Sequence, residues 1–260
     1  MNLIYGHNKM PDGMLARRVK RQTTSWKNTG LAILCNTCLF ASMATAQESS
    51  NEIWPELNTF VKLNEHARLF LLGSGTRTKE QGYSDGTLGV HVDLFTSPLF
   101  KVRLERTAQR ADVARNKFLQ FRIGYLYSRS AKSSSTQFSE HTPTVEMSAR
   151  FYFQKQLLIT GRVRNDLRFV DGVFTPRLRY RQKLERTMQL GRTALTPYAH
   201  AEAFYDWRYD AWHRFRYTAG AEWELNRRVV LEGYYVRQRE NRSSTKYLNA
   251  AGVVFQLYFR

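Results

Sequence analysis

Cysteine is almost missing from this chain: its 260 residues hold two, Cys35 and Cys38. A disulfide-stapled scaffold or a cysteine-rich metal module is therefore excluded. Long apolar runs are missing as well. Beyond residue 46 nothing approaches the roughly 20 apolar residues of a membrane-spanning helix. Proline is sparse, at six residues, so little interrupts extended chain. Acid is short: 22 Asp and Glu stand against 40 Lys and Arg, for a net charge of +18. What is present in quantity is arginine, tyrosine (14) and phenylalanine (16). Such a charge fits a nucleic-acid binder, an anionic membrane surface or a basic cavity.

The first 46 residues read as an export signal. Lys9, Arg17, Arg18, Lys20, Arg21 and Lys27 precede a short apolar stretch that ends at Ala44-Thr45-Ala46. Cleavage after Ala46 leaves residues 47–260 as the mature chain. It removes six basic residues and one acid, so +18 becomes +13. Both cysteines lie in the removed part, and neither sits in a lipoprotein box. The start is Met1, Met10 or Met14.

The mature chain alternates apolar and polar residues with a period of two, the signature of a strand with two unlike faces. Arg177 to Arg186, RLRYRQKLER, sets Leu178, Tyr180 and Leu184 on one parity and Arg177, Arg179, Arg181, Lys183 and Glu185 on the other. Similar runs lie near 88–94, 119–128, 145–151, 159–168, 199–208, 214–225, 229–241 and 246–260. A soluble sandwich also alternates, but its strands average about 5 or 6 residues. Membrane strands need about 9 to 11, and most of these runs reach or exceed that length. Aromatic residues gather near run ends: Tyr125, Tyr127, Phe151, Phe153, Tyr205, Trp207, Phe255 and Phe259. Short turns near 153–156 and 226–228 contrast with longer polar ones at 130–137 and 239–246. The expected fold is all-β: an antiparallel transmembrane β-barrel of about ten strands with a charged lumen. Two further strands from 98–116 would make it twelve.

The motifs IWPELNTFVKLNEHARLFL, FRIGYLYSRS, RLRYRQKLER, PYAHAEAFYD, RYTAGAEWEL and VVLEGYYVRQRE follow one another in order. This succession resembles a bacterial outer-membrane β-barrel family catalogued only as a domain of unknown function. The resemblance spans about residues 52–259. It implies a barrel in the outer membrane and no particular activity. The last strand keeps the alternation Ala251, Val253, Phe255, Leu257 and Phe259, although Arg260 stands where such barrels usually end on an aromatic residue.

The lumenal parity supplies the candidate site. Its charge network comprises Arg122, Glu146, Arg150, Arg162, Arg164, Asp166, Arg177, Arg179, Arg181, Glu185, His200, Glu202, Arg214, Arg216, Glu222, Glu224 and Glu232, with Arg168, Lys183 and Asp206 on the same faces. Arginine suits such a place, because its planar fork pairs carboxylates bidentately and stays charged. The leading expectation is a filled barrel with a structural or envelope role. The alternative is a narrow anion-selective channel, since charged rings select ions by sign. A lipid-acting enzyme is a third reading, resting on His200 beside Glu202 and His91 beside Asp93. Ser128 and Ser148 have no partner by spacing, and no Gly-x-Ser-x-Gly elbow is present. No catalytic residue, cofactor or metal site is assigned. GSGTRTKEQG (73–82) lacks the ending of a phosphate loop and reads as an outer hairpin loop. Basic residues spread over strand faces, with an export signal, set nucleic acid aside. The expected partners are outer-membrane lipids, lipopolysaccharide and the barrel assembly machinery. Arg208, Arg237, Arg239, Arg242 and Lys246 read as loop cations for lipopolysaccharide phosphates.

Overall fold

The computed structural model describes residues 49–78, 82–96, 117–132, 134, 137–153, 157–191, 193–241 and 246–259. The expected export signal, residues 98–116, Arg242 and Arg260 lie outside these. The strands are β1 (Ser49–Lys62), β2 (Ala67–Thr78), β3 (Gly82–Thr96), β4 (Leu119–Ser130), β5 (Ser139–Phe153) and β6 (Leu157–Asp166). A small hairpin follows, β7 (Phe169–Val170) and β8 (Val173–Phe174). Then come β9 (Arg177–Arg186), β10 (Met188–Leu190), β11 (Thr193–Asp206), β12 (Ala211–Glu224), β13 (Val229–Glu240) and β14 (Tyr247–Phe259). Among the described residues eleven of these are long, and they close into one barrel. Antiparallel pairing runs β1 to β6, then β9, then β11 to β14. β14 returns to β1, and that one seam is parallel, from Ser49↔Tyr247 to Val61↔Phe259.

Eleven falls between the ten and twelve read from the sequence, and it is odd where an even number was expected. Alternation reports faces. It does not report how the first strand meets the last. An up-and-down ring with an odd number of strands can close only with a parallel pair. The same parity places the start of β1 and the end of β14 at opposite rims. One rim carries the connections 131–138, 167–176, 207–210 and 241–246. The other, the tight-turn rim, carries 63–66, 154–156, 187–192 and 225–228, and also the ends of β3 and β4 that flank residues 97–118. The turns expected to be short and those expected to be long thus separate onto different rims. Residues 73–82 are a correction: Gly73–Thr78 belong to β2 and Gly82 opens β3, so the expected loop shrinks to residues 79–81.

The faces are inverted relative to a soluble protein. Outward side chains are apolar and open, as in Leu88, Val90, Val92 and Leu94 on β3 (Leu88 is 68% exposed). Inward ones include Asp93 and Asp166, both 0% exposed. Outward aromatics form two bands, Phe151, Phe153, Phe255 and Phe259 toward the tight-turn rim and Tyr125, Tyr127, Tyr205 and Trp207 toward the other. This is the arrangement of a transmembrane barrel, whose closed ladder leaves no backbone group for lipid to satisfy.

Inside, ring and glycine face each other across strands. Tyr258, Phe60, Phe70 and His91 stand on successive neighbours β14, β1, β2 and β3, and their rings stack with centroids 4.8, 4.7 and 5.2 Å apart. That is the strand-to-strand spacing itself, about 4.7–4.9 Å. The His91 ring then lies on Gly124 of β4, directly opposite it. Tyr234 does the same to Gly252, where an added Cβ would sit 2.0 Å from the ring. Gly124→Val or Gly252→Val is expected to lower stability by about 1–3 kcal/mol through overpacking. The urea midpoint of the refolded barrel measures this, with Gly233→Val, where nothing lies within 4 Å, as the neutral control. A tag placed before Ser49 and one placed after Phe259 are expected on opposite sides of the membrane. Protease accessibility in intact and lysed cells reads this out, and accessibility of both tags from one side would break the parallel seam.

Candidate functional site: the lumenal charge web

Period two turns alternate residues inward, and register sets which of them meet. Arg162 of β6, Arg181 of β9, Glu202 of β11 and Arg216 of β12 stand in one cross-strand row. The next row holds Arg68, Asp93, Arg122, Glu146, Arg164, Arg179, Phe204, Arg214 and Glu240 on consecutive strands from β2 to β13. The seventeen residues of the expected network all lie on inward parity.

Three carboxylates organise the densest part. Glu202 accepts Arg162 at 2.6 Å and Arg179 at 2.9 Å, with Arg216 at 4.0 Å. Asp166 accepts Arg164 at 2.5 Å and Arg177 at 2.9 Å. Glu146 lies 3.3 Å from Arg162. Six guanidiniums, including Arg181, therefore crowd three carboxylates. Arg181 is the one lumenal arginine among the described residues that makes no hydrogen bond or ion pair. Phe204, 1% exposed, fills the space between, with Arg179 4.8 Å and Arg216 5.1 Å from its ring centre. A ring face beneath a guanidinium adds attraction without adding charge.

The rest of the network sits around this knot. Arg122 and Arg68 grip Asp93 at 2.6 and 2.7 Å and lie over Phe70 and Phe60 at 4.2 and 4.3 Å. Lys183 joins Glu185 and Glu222 at 2.7 and 3.0 Å. Arg214 pairs Glu240 at 2.9 Å. Arg150 donates to Gln120. Glu224 lies at the tight-turn rim of β12. On the β1–β13 side, carboxylates take neutral donors: Glu52 from Trp54 at 2.7 Å, Glu56 from Asn58 at 2.5 Å, and Glu232 from Gln256 at 2.7 Å and from Tyr198. The lumen thus has an arginine-rich wall and a carboxylate-rich wall. Arg168 and Arg208 stand beyond β6 and β11, on Glu140 at 2.7 Å and Asp206 at 3.4 Å.

His200 stacks on Tyr198, and its Nδ1 has no partner; both ring nitrogens of His91 are likewise without one. No hydroxyl is bonded to either ring. Among the described residues no three His, Cys, Asp or Glu gather as a metal site. Arg237 and Arg239 are a correction: they are outward residues of β13, not loop residues. The sequence reading passed over the aromatic stack, Arg68 and the Glu52, Glu56 and Glu240 carboxylates. Parity alone marks Phe60, Phe204 and Glu56 as inward, but their partners depend on register.

The fold and its inverted faces define a transmembrane β-barrel. Within that class the chain belongs to the family described as "Protein of unknown function (DUF2490)", which matches residues 51–249. No curated protein matches the chain. Among solved structures it is similar to the beta domain of the Bordetella autotransporter BrkA, at 12% identity and a TM-score of 0.40, over 73% of this chain and 82% of that one.

Glu202→Leu is expected to cost about 3–5 kcal/mol, because it leaves Arg162 and Arg179 buried without the carboxylate they share. Arg181→Gln is expected to be neutral or stabilising, since it removes a cation that faces Arg162 across the strands. Unfolding of the refolded barrel in urea, followed by tryptophan fluorescence, compares the two. Equal costs would contradict the partner assignments.

Proposed function

We propose that the protein is a small outer-membrane barrel whose lumen is occupied by its own side chains and whose role is structural, as a fixed element of the envelope. The observation that carries this is the bonding of the lumenal arginines, all but Arg181 held by carboxylates, amide or carbonyl oxygens. A conducting constriction needs cations free to exchange with solute. Here the forks are committed to neighbours, and a ladder of four rings stands toward the tight-turn rim. The outer-membrane assignment rests on the closed ladder, the apolar outer wall and the alternating last strand, the element that assembly machinery would read. The second reading is a narrow anion pathway. One observation favours it, the unbonded Arg181 in an arginine-rich wall. The carboxylates Glu52, Glu56 and Glu232 on the other wall oppose it.

Planar-bilayer recording separates the two. Protein from Gln47 onward, refolded in detergent and showing a heat-modifiable gel shift, is expected to give no stepwise current under a salt gradient. Stepwise current with anion preference, reversed by Arg181→Glu, would replace the filled barrel with the pathway.

A further inference from the structure

Exposed arginines on the outer wall, among them Arg77, Arg129 and Arg186, are residues that lipid chains should not tolerate, and two more fall side by side on one strand. Arg237 and Arg239 are exposed and point outward from β13, two residues apart. An outward arginine at the bilayer midplane costs about 2–4 kcal/mol, falling to about 0–1 at the interface. Their position resolves this, because β13 ends at Glu240. At about 3.4 Å per residue both lie within roughly 10 Å of the rim, at headgroup depth. They line a cleft of about 470 Å³ with Phe215, Tyr217 and Tyr247, and Arg237 stands 5.2 Å over the Tyr247 ring.

A second outward cleft, of about 690 Å³, shares Tyr217 and Arg237 with the first. It runs from them toward the middle of the wall. Its floor is Ala199, Ala201 and Ala219; Leu184, Ile159 and Tyr235 form its sides, and the Gln182 amide stands beside Ala201. The floor is low because alanines stand opposite one another, Ala199↔Ala219 on neighbouring strands. Tyr217 rises beside Ala201. The tyrosine Tyr235 is tied down through its hydroxyl to Asn249 at 2.8 Å. An apolar trough of this kind is shaped for an acyl chain, and it leads into a basic, aromatic head pocket.

We propose that these two clefts, joined through Tyr217 and Arg237 between β6 and β14, bind one acylated glycolipid that bears a phosphate monoester, as the outer leaflet of an outer membrane supplies. A monoester carries about −1.5 to −2 charge near neutral pH, enough to engage both guanidiniums, each able to make a bidentate contact. A phosphodiester headgroup carries one charge and engages one. The chain lies in the alanine trough, the phosphate between Arg237 and Arg239, and the sugar edge against Tyr217 and Tyr247. The proposal rests on the outer-membrane reading, not on whether the lumen conducts.

The test uses refolded barrel from Gln47 onward and purified bisphosphorylated lipid A, with phosphatidylglycerol as the diester probe, read by native mass spectrometry from detergent. Wild type is expected to retain lipid A over phosphatidylglycerol. R237Q/R239Q should lower retention at least tenfold, as should Ala201→Trp, which fills the trough from its floor. Arg227→Gln with Arg228→Gln, in the turn at the opposite rim, should leave it unchanged. Every variant is scored only on its heat-modifiable, folded fraction, so a folding defect is not read as lost binding. Unchanged retention by R237Q/R239Q, or equal retention of phosphatidylglycerol, overturns the proposal. Fractionation of the native membranes reports the location separately: a chain found outside the outer membrane fails the envelope reading and removes this lipid as occupant, whatever the refolded barrel binds.

Discussion

Closing eleven strands into a ring sets inward side chains of neighbouring strands about 4.8 Å apart, and the inner wall is made of what can stand at that distance. Flat rings can, so Tyr258, Phe60, Phe70 and His91 stack along the hydrogen-bonding direction with the ladder's own repeat. A ring also fits over a residue with no side chain, which is how Tyr234 and His91 find room against Gly252 and Gly124. Opposite charges fit as well, and the row Arg68, Asp93, Arg122, Glu146 alternates sign for four strands. The alternation fails from β6 to β9, where Arg162 faces Arg181 and Arg164 faces Arg179. The wall compensates diagonally. Glu202 and Asp166 each accept from more than one guanidinium, and Phe204 separates others by ring faces.

Such a web is costly to assemble and costly to breach. Desolvating a carboxylate or a guanidinium costs several kcal/mol even after relaxation. Shared acceptors reduce that burden, because one ordered carboxylate satisfies several forks. The consequence is specificity of register. A one-residue slip of any strand would turn its charges into lipid and its leucines into the lumen, an error that both faces penalise at once. In RLRYRQKLER such a slip would turn five charges outward, each cation among them costing about 2–4 kcal/mol at the midplane, and Leu178, Tyr180 and Leu184 inward, so the charges set the larger penalty.

Period two is a property of the chain, so the faces of RLRYRQKLER and the common parity of the seventeen charged residues were legible from sequence alone. So was the class, because the long runs exceed what a soluble strand uses. Register and closure were not legible. Nothing within β1 announces that Glu52 lies opposite Ala250 in a parallel seam. The strand count came out odd for that reason. Arg179 and Arg181 illustrate the same limit within a site: their sequence surroundings are nearly alike, yet one is bonded to Glu202 and the other to nothing. Phe60 and Phe70 read as ordinary strand aromatics until pairing brings them under Arg68 and Arg122.

The two walls of the barrel obey opposite solvents, and the exceptions on each are informative for opposite reasons. An apolar residue inside is permitted wherever it stacks, so Phe204 and the ring ladder need only neighbours. A cation outside is permitted only where water or a headgroup reaches it. Arg237 and Arg239 therefore carry depth information that no inward arginine carries. With β13 ending at Glu240, they mark the polar end of that strand's outer face. Outward Tyr235, two residues nearer the middle, donates to Asn249 rather than to solvent, as a hydroxyl must once the wall has entered lipid. The outward side chains of β13 change from aromatic to cationic between Tyr235 and Arg237.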